Sequence, residues 1–264
     1  MRITSLQNLH VKNCVKLQQR KERDRQQKMM IEGYRAILQA LQNRYPLHTL
    51  YYCPEFFYGH HESSLLSMAE QAGALLLEVA AGPFQKMAVA PRPDGLLALA
   101  PQIRRTLNGY HPRPTAFFLV AEAIEKPSNL GAIIRSADGA GAEAVIVCDS
   151  QVDMFHPDVV RASVGTFFTI PLLAASPRQT LQWCEAHGIL SMAATPQAEV
   201  LYTHVNMCGP VAIIVGNEQR GLSSEWLHGA DLTIRLPMHG QINSLNVAVA
   251  AALLLYEVVR QRTC

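Results

Sequence analysis

The sequence predicts an α/β protein whose C-terminal half contains a mainly parallel sheet, and three observations lead to this prediction. Short apolar runs typical of buried strands recur after residue 114, at residues 116–120, 144–148 and 211–215. Segments with helical spacing separate these runs, and strands that alternate with helices form parallel sheets. No G-x-G-x-x-G or P-loop pattern occurs, so a dehydrogenase or an NTPase lacks its main support.

The N-terminal half shows the same alternation on a smaller scale. Its spacing predicts helices over residues 11–24, 34–42, 63–71 and 84–87, and strands over residues 29–31, 48–53, 74–79 and 95–100. Gly109, Pro112 and Pro114 then indicate a linker. We therefore predict a smaller domain at residues 1–108, a linker at residues 109–114 and a second domain at residues 115–264.

The later elements of the second domain follow from the same reasoning. A helix that begins near Asn129 should end at Gly139 and Gly141, and a short helix from residue 157 should turn through Gly165 into a strand ending at residue 170. The remaining elements are a helix over residues 178–187, strands over 190–194 and 232–236, and a final helix over 245–260 with Ser244 as its N-cap.

Positive charge is concentrated at the start of the chain. Residues 1–35 carry nine Lys or Arg against three acids, which leaves fourteen basic against eighteen acidic residues in the remainder. A basic segment on a nearly neutral body is expected for a protein with a phosphate-rich partner. The candidate phosphate contacts are Lys16, Arg20, Lys21, Arg23, Arg25 and Lys28. A solvated helix face explains the charge alone equally well.

Cysteine usage and hydropathy narrow the class of protein further. The six cysteines form no C-x-x-C pair and no Cys/His metal spacing, so we predict reduced thiols, no metal site and a cytoplasmic location. The basic start of the chain has no apolar segment typical of a signal peptide. The longest strongly apolar run, residues 247–256, is too short to span a bilayer, so we predict no membrane partner.

Polar residues cluster where the predicted strands end and helices begin. Asn129 and Arg135 lie on the helix after the first strand of the second domain, and Glu218 follows the strand at residues 211–215. Ser244 and Asn246 precede the last helix. Loops at the carboxyl ends of strands bind ligands in α/β proteins, so these positions form one candidate site. Arg161, on the short helix, is a candidate for either a phosphate contact or a salt bridge.

Three stretches together carry a family resemblance. NLGAIIRSADGAGAEAVIV, VAIIVGNEQRGLS and IRLPMHGQINSLNVAVAAALLLYE resemble, in order and spacing, the three motifs of the SpoU-type (TrmH-like) RNA ribose methyltransferases of the SPOUT superfamily. The first half, with RKERDRQQKMMIEG, resembles more loosely their L30e-like substrate-binding domain. The sequence departs from the family pattern at Gln219, where Gly is usual, and at Ala248, where Ser is common.

The resemblance implies a trefoil-knotted fold and assigns roles to residues. Asn129, Arg135, Glu218, Ser244 and Asn246 match the polar positions expected to carry catalysis. S-adenosylmethionine would lie in the loops of the knot, and S-adenosylhomocysteine would be the product. Positions expected to bind this cofactor are Gly216, Asn217, Leu236, Met238, Ser244, Leu245 and Asn246. The resemblance also implies a homodimer with RNA, not DNA, as substrate, and no metal.

The implied reaction is an in-line attack of an RNA 2′-hydroxyl on the sulfonium methyl group. By resemblance Arg135 activates the hydroxyl, either as an unusual base or, as we prefer, as an electrostatic stabiliser of the developing alkoxide. Two alternatives are a catalytically silent RNA-binding protein on the same fold and an enzyme that methylates tRNA. The additional N-terminal domain favours large-subunit ribosomal RNA over tRNA.

Overall fold

The chain folds into two compact units. The computed structural model describes residues 2–59 and 61–263. The first unit contains the described residues up to Ile103 together with residues 153–169, and the second contains residues 104–152 and 170–263. The chain passes from the first unit to the second at residues 103–104, so the predicted linker at 109–114 lies inside the second unit.

The first unit is a small α/β structure around a mixed sheet. Its strands lie in the order β1-β4-β3-β5-β2; β4 is parallel to β1 and β3, whereas β5 is antiparallel to β3 and β2. The elements before residue 104 are β1 (Arg2–Ile3), α1 (Leu9–Leu17), α2 (Arg20–Gln26), β2 (Lys28–Glu32), α3 (Tyr34–Gln42), β3 (Thr49–Tyr52), α4 (Glu62–Gln71), β4 (Leu75–Val79), α5 (Ala81–Met87) and β5 (Leu96–Pro101).

The single helix predicted over residues 11–24 is wrong, because the structure has two helices there. The break is stabilised by Arg23, whose Nη1 donates to the carbonyl oxygens of Leu17 at 2.9 Å and Gln18 at 2.8 Å. Carbonyl groups at the end of a helix lack partners within it, and the guanidinium supplies one. Strands β2 to β5 and the other helices of the first unit match the predictions to within a few residues, whereas the short strand β1 was not predicted.

The second unit contains a parallel sheet, as predicted. Its strands lie in the order β11-β13-β10-β12-β7-β8-β9-β6, and every pairing among the described strands is parallel. The elements from residue 104 onward are β6 (Arg105–Thr106), β7 (Phe117–Glu122), α6 (Pro127–Ala140), β8 (Ala144–Cys148), α7 (Pro157–Ala162, in the first unit), β9 (Leu172–Ala175), α8 (Pro177–Ala186), β10 (Leu190–Ala194), β11 (Val200–Leu201), β12 (Val211–Val215), α9 (Ser224–Gly229), β13 (Leu232–Arg235) and α10 (Val247–Thr263).

The centre of this sheet explains the continuous apolar runs in the sequence. Strands β7, β8 and β12 are buried along their whole length. Strands covered on both faces need apolar side chains at every position rather than at alternate ones. Because β13, β10, β12 and β7 are consecutive and parallel, their carboxyl ends lie at one edge of the sheet. The trefoil knot implied by the resemblance stays a prediction.

Residues 153–169 differ from their prediction. The short helix is present as α7, but the strand predicted after Gly165 is wrong: a 3-10 helix, Thr166–Phe168, follows, and the strand β9 begins only at Leu172. Gly165 has φ +94°, and a Cβ there would lie 2.7 Å from Cγ of Gln39. This close packing requires glycine and redirects the chain.

Candidate active site

A cavity of about 350 Å³ lies at the carboxyl ends of β10, β12 and β13. Its walls are the loops that follow these three strands and the start of α10. Among the residues expected to bind a cofactor, those that line the cavity are Gly216, Asn217, Leu236, Met238, Ser244 and Leu245. Glu218, from the catalytic set, also lines it. The structure therefore brings the second and third motifs together around one space.

Sequence reasoning missed one wall of the cavity. Ala194, the last residue of β10, and Thr195 and Gln197, which follow it, line the cavity, and Arg220 lines it from the loop after β12. The strand at residues 190–194 was predicted correctly, so the rule that ligands bind beyond the carboxyl ends of strands could have found this wall. The loop after that strand carries no conspicuous polar motif to draw attention to it.

The loop after β12 is held in a tight turn by Gly216 and Asn217. A Cβ on Gly216 would lie 2.7 Å from the carbonyl oxygen of Gly221, so only glycine fits there. Asn217 is buried, and its Oδ1 accepts from the backbone N–H groups of Gln219 at 2.8 Å and Arg220 at 2.9 Å. Its Nδ2 donates to the Ala123 carbonyl oxygen at 3.0 Å and to Glu125 Oε1 at 2.9 Å. The Asn217 side chain thus joins the loops after β7 and β12.

Three of the predicted polar residues form one hydrogen-bonded chain. Asn129, in the first turn of α6, donates from Nδ2 to Glu218 Oε1 at 2.5 Å. Asn246 donates from Nδ2 to Asn129 Oδ1 at 3.2 Å. One residue from each motif takes part, although 117 positions separate Asn129 from Asn246 in the sequence. The network fixes the Glu218 carboxylate at the edge of the cavity.

The N-cap of the last helix was predicted wrongly. α10 begins at Val247, and the cap is Asn246, whose Oδ1 accepts from the backbone N–H groups of Ala248 at 3.0 Å and Val249 at 3.4 Å. Ser244 is exposed and lies in the preceding loop, where it lines the cavity. Asn and Ser are similarly good caps, so composition alone could not decide between them.

Arg135 stands apart from this network. It lies six residues after Asn129 on α6, about 120° around the helix axis from it at 100° per residue. The side chain is exposed, and within residues 2–59 and 61–263 no hydrogen bond or ion pair to it is seen. The structure therefore does not support the predicted convergence of Arg135 and Asn129 within one chain.

Comparison with known proteins identifies the family. Residues 116–256 match the model of the SpoU rRNA Methylase family, and residues 8–98 match that of the MRM3-like substrate binding domain. The first match covers more than half of the chain. The chain belongs to the SpoU rRNA methylase family. The family resemblance drawn from the three motifs is thereby confirmed.

Relatives of this SpoU family member match it along nearly its whole length. It is 30% identical over 259 residues to the 23S rRNA (guanosine(2553)-2'-O)-methyltransferase RlmP of Bacillus subtilis (strain 168), covering 97% of this chain and 98% of that protein. A crystal structure of an RNA 2'-O ribose methyltransferase is 44% identical, covers 100% of both chains and gives a TM-score of 0.85. The AdoMet-bound rRNA methyltransferase from Sinorhizobium meliloti is 30% identical, covers 98% of this chain and 97% of its own, and gives a TM-score of 0.89.

The predicted RNA-binding residues of this SpoU protein fall into two groups. Arg23 was wrongly included, because its side chain is 1% exposed and pairs with Asp153 at 2.9 Å, so it cannot reach a phosphate. The others lie at or near the surface: Lys16, Arg20, Lys21, Arg25, Lys28 and Arg161. Arg25 and Arg161 make surface ion pairs, with Glu22 and Asp158 respectively, each at 2.7 Å, and exposed pairs of this kind are easily exchanged for other partners.

The remaining observations on this SpoU protein concern its buried thiols, its potential metal ligands and the length of its helices. Burial raises the pKa of the Cys148 and Cys184 thiols to about 12, so both stay protonated. Among the described residues, no group of three or more His, Cys, Asp or Glu side chains is arranged to hold a metal ion. No helix within that same part of the chain is long and apolar enough to cross a membrane.

Proposed function

We propose that this chain is an S-adenosylmethionine-dependent 2′-O-ribose methyltransferase of 23S ribosomal RNA. The observation that carries the proposal is the convergence of Asn129, Glu218 and Asn246, one from each motif, beside the cavity beyond β12. Family membership and the activities for which the full-length relatives are named support the same reaction.

The cavity has the character needed for S-adenosylmethionine. Leu236, Met238 and Leu245 provide apolar surface suited to an adenine ring, while the backbone of the loop after β12 provides polar groups. Its volume of about 350 Å³ is typical of small-molecule sites. Bound there, the cofactor supplies an electrophilic methyl group. The rigid turn at Gly216 and Asn217 holds the cavity wall in place, which limits the reorganisation needed on binding.

The protein must then orient a ribose hydroxyl and stabilise its negative charge. Glu218 has one oxygen committed to Asn129, and its second carboxylate oxygen lies 3.5 Å from the backbone nitrogen of Glu125. This fixed carboxylate is suited to accept a hydrogen bond from the substrate and so orient it. We assign the stabilisation of the alkoxide to Arg135, because its guanidinium is a permanent positive charge free of an ion pair within the described residues.

We further propose that the enzyme acts as a homodimer. Val249, Leu253 and Tyr256 form a stripe on α10, and all three are about half-exposed in the single chain. Their spacing places them on one helix face. The Tyr256 hydroxyl donates to the Gly139 carbonyl oxygen of α6 at 3.4 Å, so the stripe continues onto α6 one turn after Arg135. A second copy seated on this face would bring Arg135 of one protomer towards the site of its partner, which explains its distance from Asn129.

The preference for ribosomal RNA rests on the first unit. The B. subtilis relative and the S. meliloti structure, both named as rRNA methyltransferases, match this chain through the first unit as well. Basic side chains at or near the surface of this unit would contact RNA phosphates, namely Lys16, Arg20, Lys21, Arg25, Lys28 and Arg161. The free thiols of the described cysteines suit the reducing cytoplasm, where we place the enzyme.

Methyl transfer from labelled S-adenosylmethionine to transcribed 23S rRNA tests the proposal, with tRNA from the same organism as the comparison substrate. A 2′-O-methylated linkage resists alkali, because the 2′-oxygen can no longer attack the phosphate. We expect label in alkali-resistant dinucleotides from 23S rRNA. Label in tRNA alone would overturn the choice of RNA, label released as a methylated base would overturn the reaction, and RNA binding without transfer would support the silent alternative.

A further inference from the structure

A second cavity, of about 510 Å³, lies within the first unit at the start of α3. Of the residues that line it, the proposed function uses only Arg161, as a contact to an RNA phosphate. Its lining combines carboxylates, an aromatic ring and two arginines, namely Glu32, Glu62, Asp94, Tyr58, Arg35 and Arg161. Cavities of this size that combine convergent polar groups with aromatic surface are typical of ligand sites.

The carboxylates are fixed by the backbone, not by side chains. Both oxygens of Glu32 accept from the backbone N–H of Ala90, and Oε2 also accepts from that of Val89 at 2.8 Å. Asp94 Oδ2 accepts from the Tyr34 N–H at 2.7 Å, and Glu62 Oε1 accepts from the Gly59 N–H at 3.0 Å. Ionised carboxylate oxygens have further acceptor sites. Within the described chain none of the three carboxylates has a side-chain donor or an ion pair within 4.0 Å.

Negative charge in the cavity outweighs positive charge, because three carboxylates and two guanidinium groups line it. Burial raises the pKa of Glu32 and the charge of Asp94 adds to this, whereas the backbone N–H groups of Val89 and Ala90 and the charge of Arg161 lower it. Burial likewise raises the pKa of Asp94, with a contribution from Glu62. A ligand with N–H donors would fill the acceptor sites that the backbone leaves open on these carboxylates. A metal ion does not fit, because the described residues include no group of three such side chains placed to hold one.

We propose that this cavity receives an unpaired guanine base of the RNA substrate, with its N1–H and N2–H groups donating to a cavity carboxylate. Guanine is the common base whose Watson–Crick edge carries two adjacent donors, the pattern that a carboxylate accepts bidentately. Adenine, cytosine and uracil each place an acceptor beside their donor, which a carboxylate repels. The inference rests on the proposed function, since it assumes an RNA substrate.

The rim of the cavity suits the remainder of a nucleotide. Tyr58 is 74% exposed and offers a ring face on which a base can stack. Arg35 and Arg161 line the cavity with exposed guanidinium groups, which can neutralise flanking phosphates. A partner with isolated ammonium groups, such as a lysine-rich peptide, would use the carboxylates but would have no need of the two arginines. Residues 8–98 also match a substrate-binding domain, which favours RNA.

The test measures binding of the full-length protein to labelled single-stranded pentaribonucleotides by fluorescence anisotropy. The central base is guanine, inosine or adenine in an otherwise all-uridine strand. Inosine keeps N1–H but lacks the N2 amino group, so it removes one donor without changing the ring. We expect guanine to bind about tenfold more tightly than inosine, the scale for one hydrogen bond to a charged group. Equal affinities would overturn the inference without any mutation.

Two neutralised variants then locate the effect. Asp94→Asn and Glu32→Gln should each reduce the guanine-to-inosine ratio towards one, because an amide offers fewer acceptor sites than a carboxylate. Glu70→Gln is the matched control, since Glu70 is exposed on α4 and outside the cavity. Circular dichroism verifies that each variant is folded. A ratio unchanged in both cavity variants, or a Glu32-dependent affinity for a lysine-rich peptide in place of the guanine preference, would overturn the inference.

The outcome is separable from that of the proposed function. Methyl transfer to 23S rRNA with no guanine preference in the pentamers would leave the proposed function intact and remove the guanine pocket. Guanine preference without methyl transfer would leave the guanine pocket intact and overturn the proposed function.

Discussion

Asn129, in the first turn of α6, donates its side-chain amide to the carboxylate of Glu218 at 2.5 Å, although the two residues are 89 positions apart in the sequence. Because the Asn129 carbonyl oxygen also accepts from Asn246 at 3.2 Å, one carboxamide fixes residues of both other motifs. Such a donor and acceptor pair is a property of Asn and Gln side chains, not of ionised Asp or Glu. The arrangement therefore depends on the chemical type of residue 129, and substitution can test it.

Asn129→Asp should reduce methyl transfer by at least about a hundredfold, the scale for losing one preorganised polar group. The substitution preserves the acceptor for Asn246 but replaces the donor with a carboxylate that repels Glu218. The measurement is the transfer rate at saturating cofactor and RNA. Asn206→Asp is the matched control, because Asn206 is exposed and uses its Oδ1 to accept from the Cys208 N–H, which Asp can also do. Equal rates for the two variants would contradict the role of Asn129.

Mixed dimers can show which protomer supplies Arg135. If Arg135 acts in the site of its partner, a dimer of one Arg135→Ala and one Glu218→Ala chain contains one intact site. Two individually inactive variants should then regain about a quarter of wild-type activity after unfolding and reassembly, since half of a random mixture is mixed dimer with one intact site of two. If both residues act within one chain, every site stays defective and mixing restores nothing.

The sequence predicted the central strands of the second sheet well and the details of the site less well. Runs such as residues 211–215 were recognised because strands buried on both faces need uninterrupted apolar residues, which is a local signal. Arg23 was placed wrongly because its burial depends on Asp153, 130 positions away, and charge alone indicates exposure. Ser244 was chosen as N-cap over Asn246 because both residue types cap helices, and only the backbone path decides.

The assignment of Asn246 as the N-cap of α10 leads to a prediction about stability. Asn246→Ala should lower the free energy of unfolding by about 1 kcal/mol, the usual cost of losing a side-chain cap, since the Ala248 and Val249 N–H groups lose their acceptor. Ser244→Ala, in the exposed loop before the helix, should change it by less than about 0.5 kcal/mol. Denaturant unfolding of the two variants measures both values. A larger loss of unfolding free energy for Ser244→Ala than for Asn246→Ala would show that Ser244 is the N-cap.

Glu32 should make stability depend on pH in a defined direction. Burial raises the pKa of its carboxyl above the ordinary value of 4.5, so the folded state holds this proton more tightly than the unfolded state does. The resulting stabilisation is fully present below pH 4.5 and is lost as pH rises through the raised pKa. Glu32→Gln lacks this group, so the wild-type free energy of unfolding should fall relative to the variant from pH 4.5 upward. If the free energies of unfolding of the wild type and of Glu32→Gln change with pH in parallel, Glu32 titrates normally. The control Glu70→Gln should follow the wild type.

The buried pair of Arg23 and Asp153 makes the first unit dependent on a segment from the second half of the sequence. Both Nε and Nη2 of Arg23 lie 2.9 Å from Asp153 Oδ2, and the two side chains are 1% and 4% exposed.

Asp153→Asn should lower the free energy of unfolding by about 3 kcal/mol, because it leaves a buried guanidinium without its counter-charge. Asp158→Asn, which removes a partly exposed carboxylate paired with Arg161 and 3.9 Å from His156 Nδ1, should cost less than about 1 kcal/mol. The double variant Arg23→Met with Asp153→Leu should be more stable than Asp153→Asn, since it removes both charges together. It should not regain the full wild-type value, because the Leu17 and Gln18 carbonyl groups lose the donor that Arg23 provides. Equal losses at Asp153 and Asp158, measured by denaturant unfolding, would mean that solvent screens the Arg23 charge and that the pair contributes no more than a surface contact.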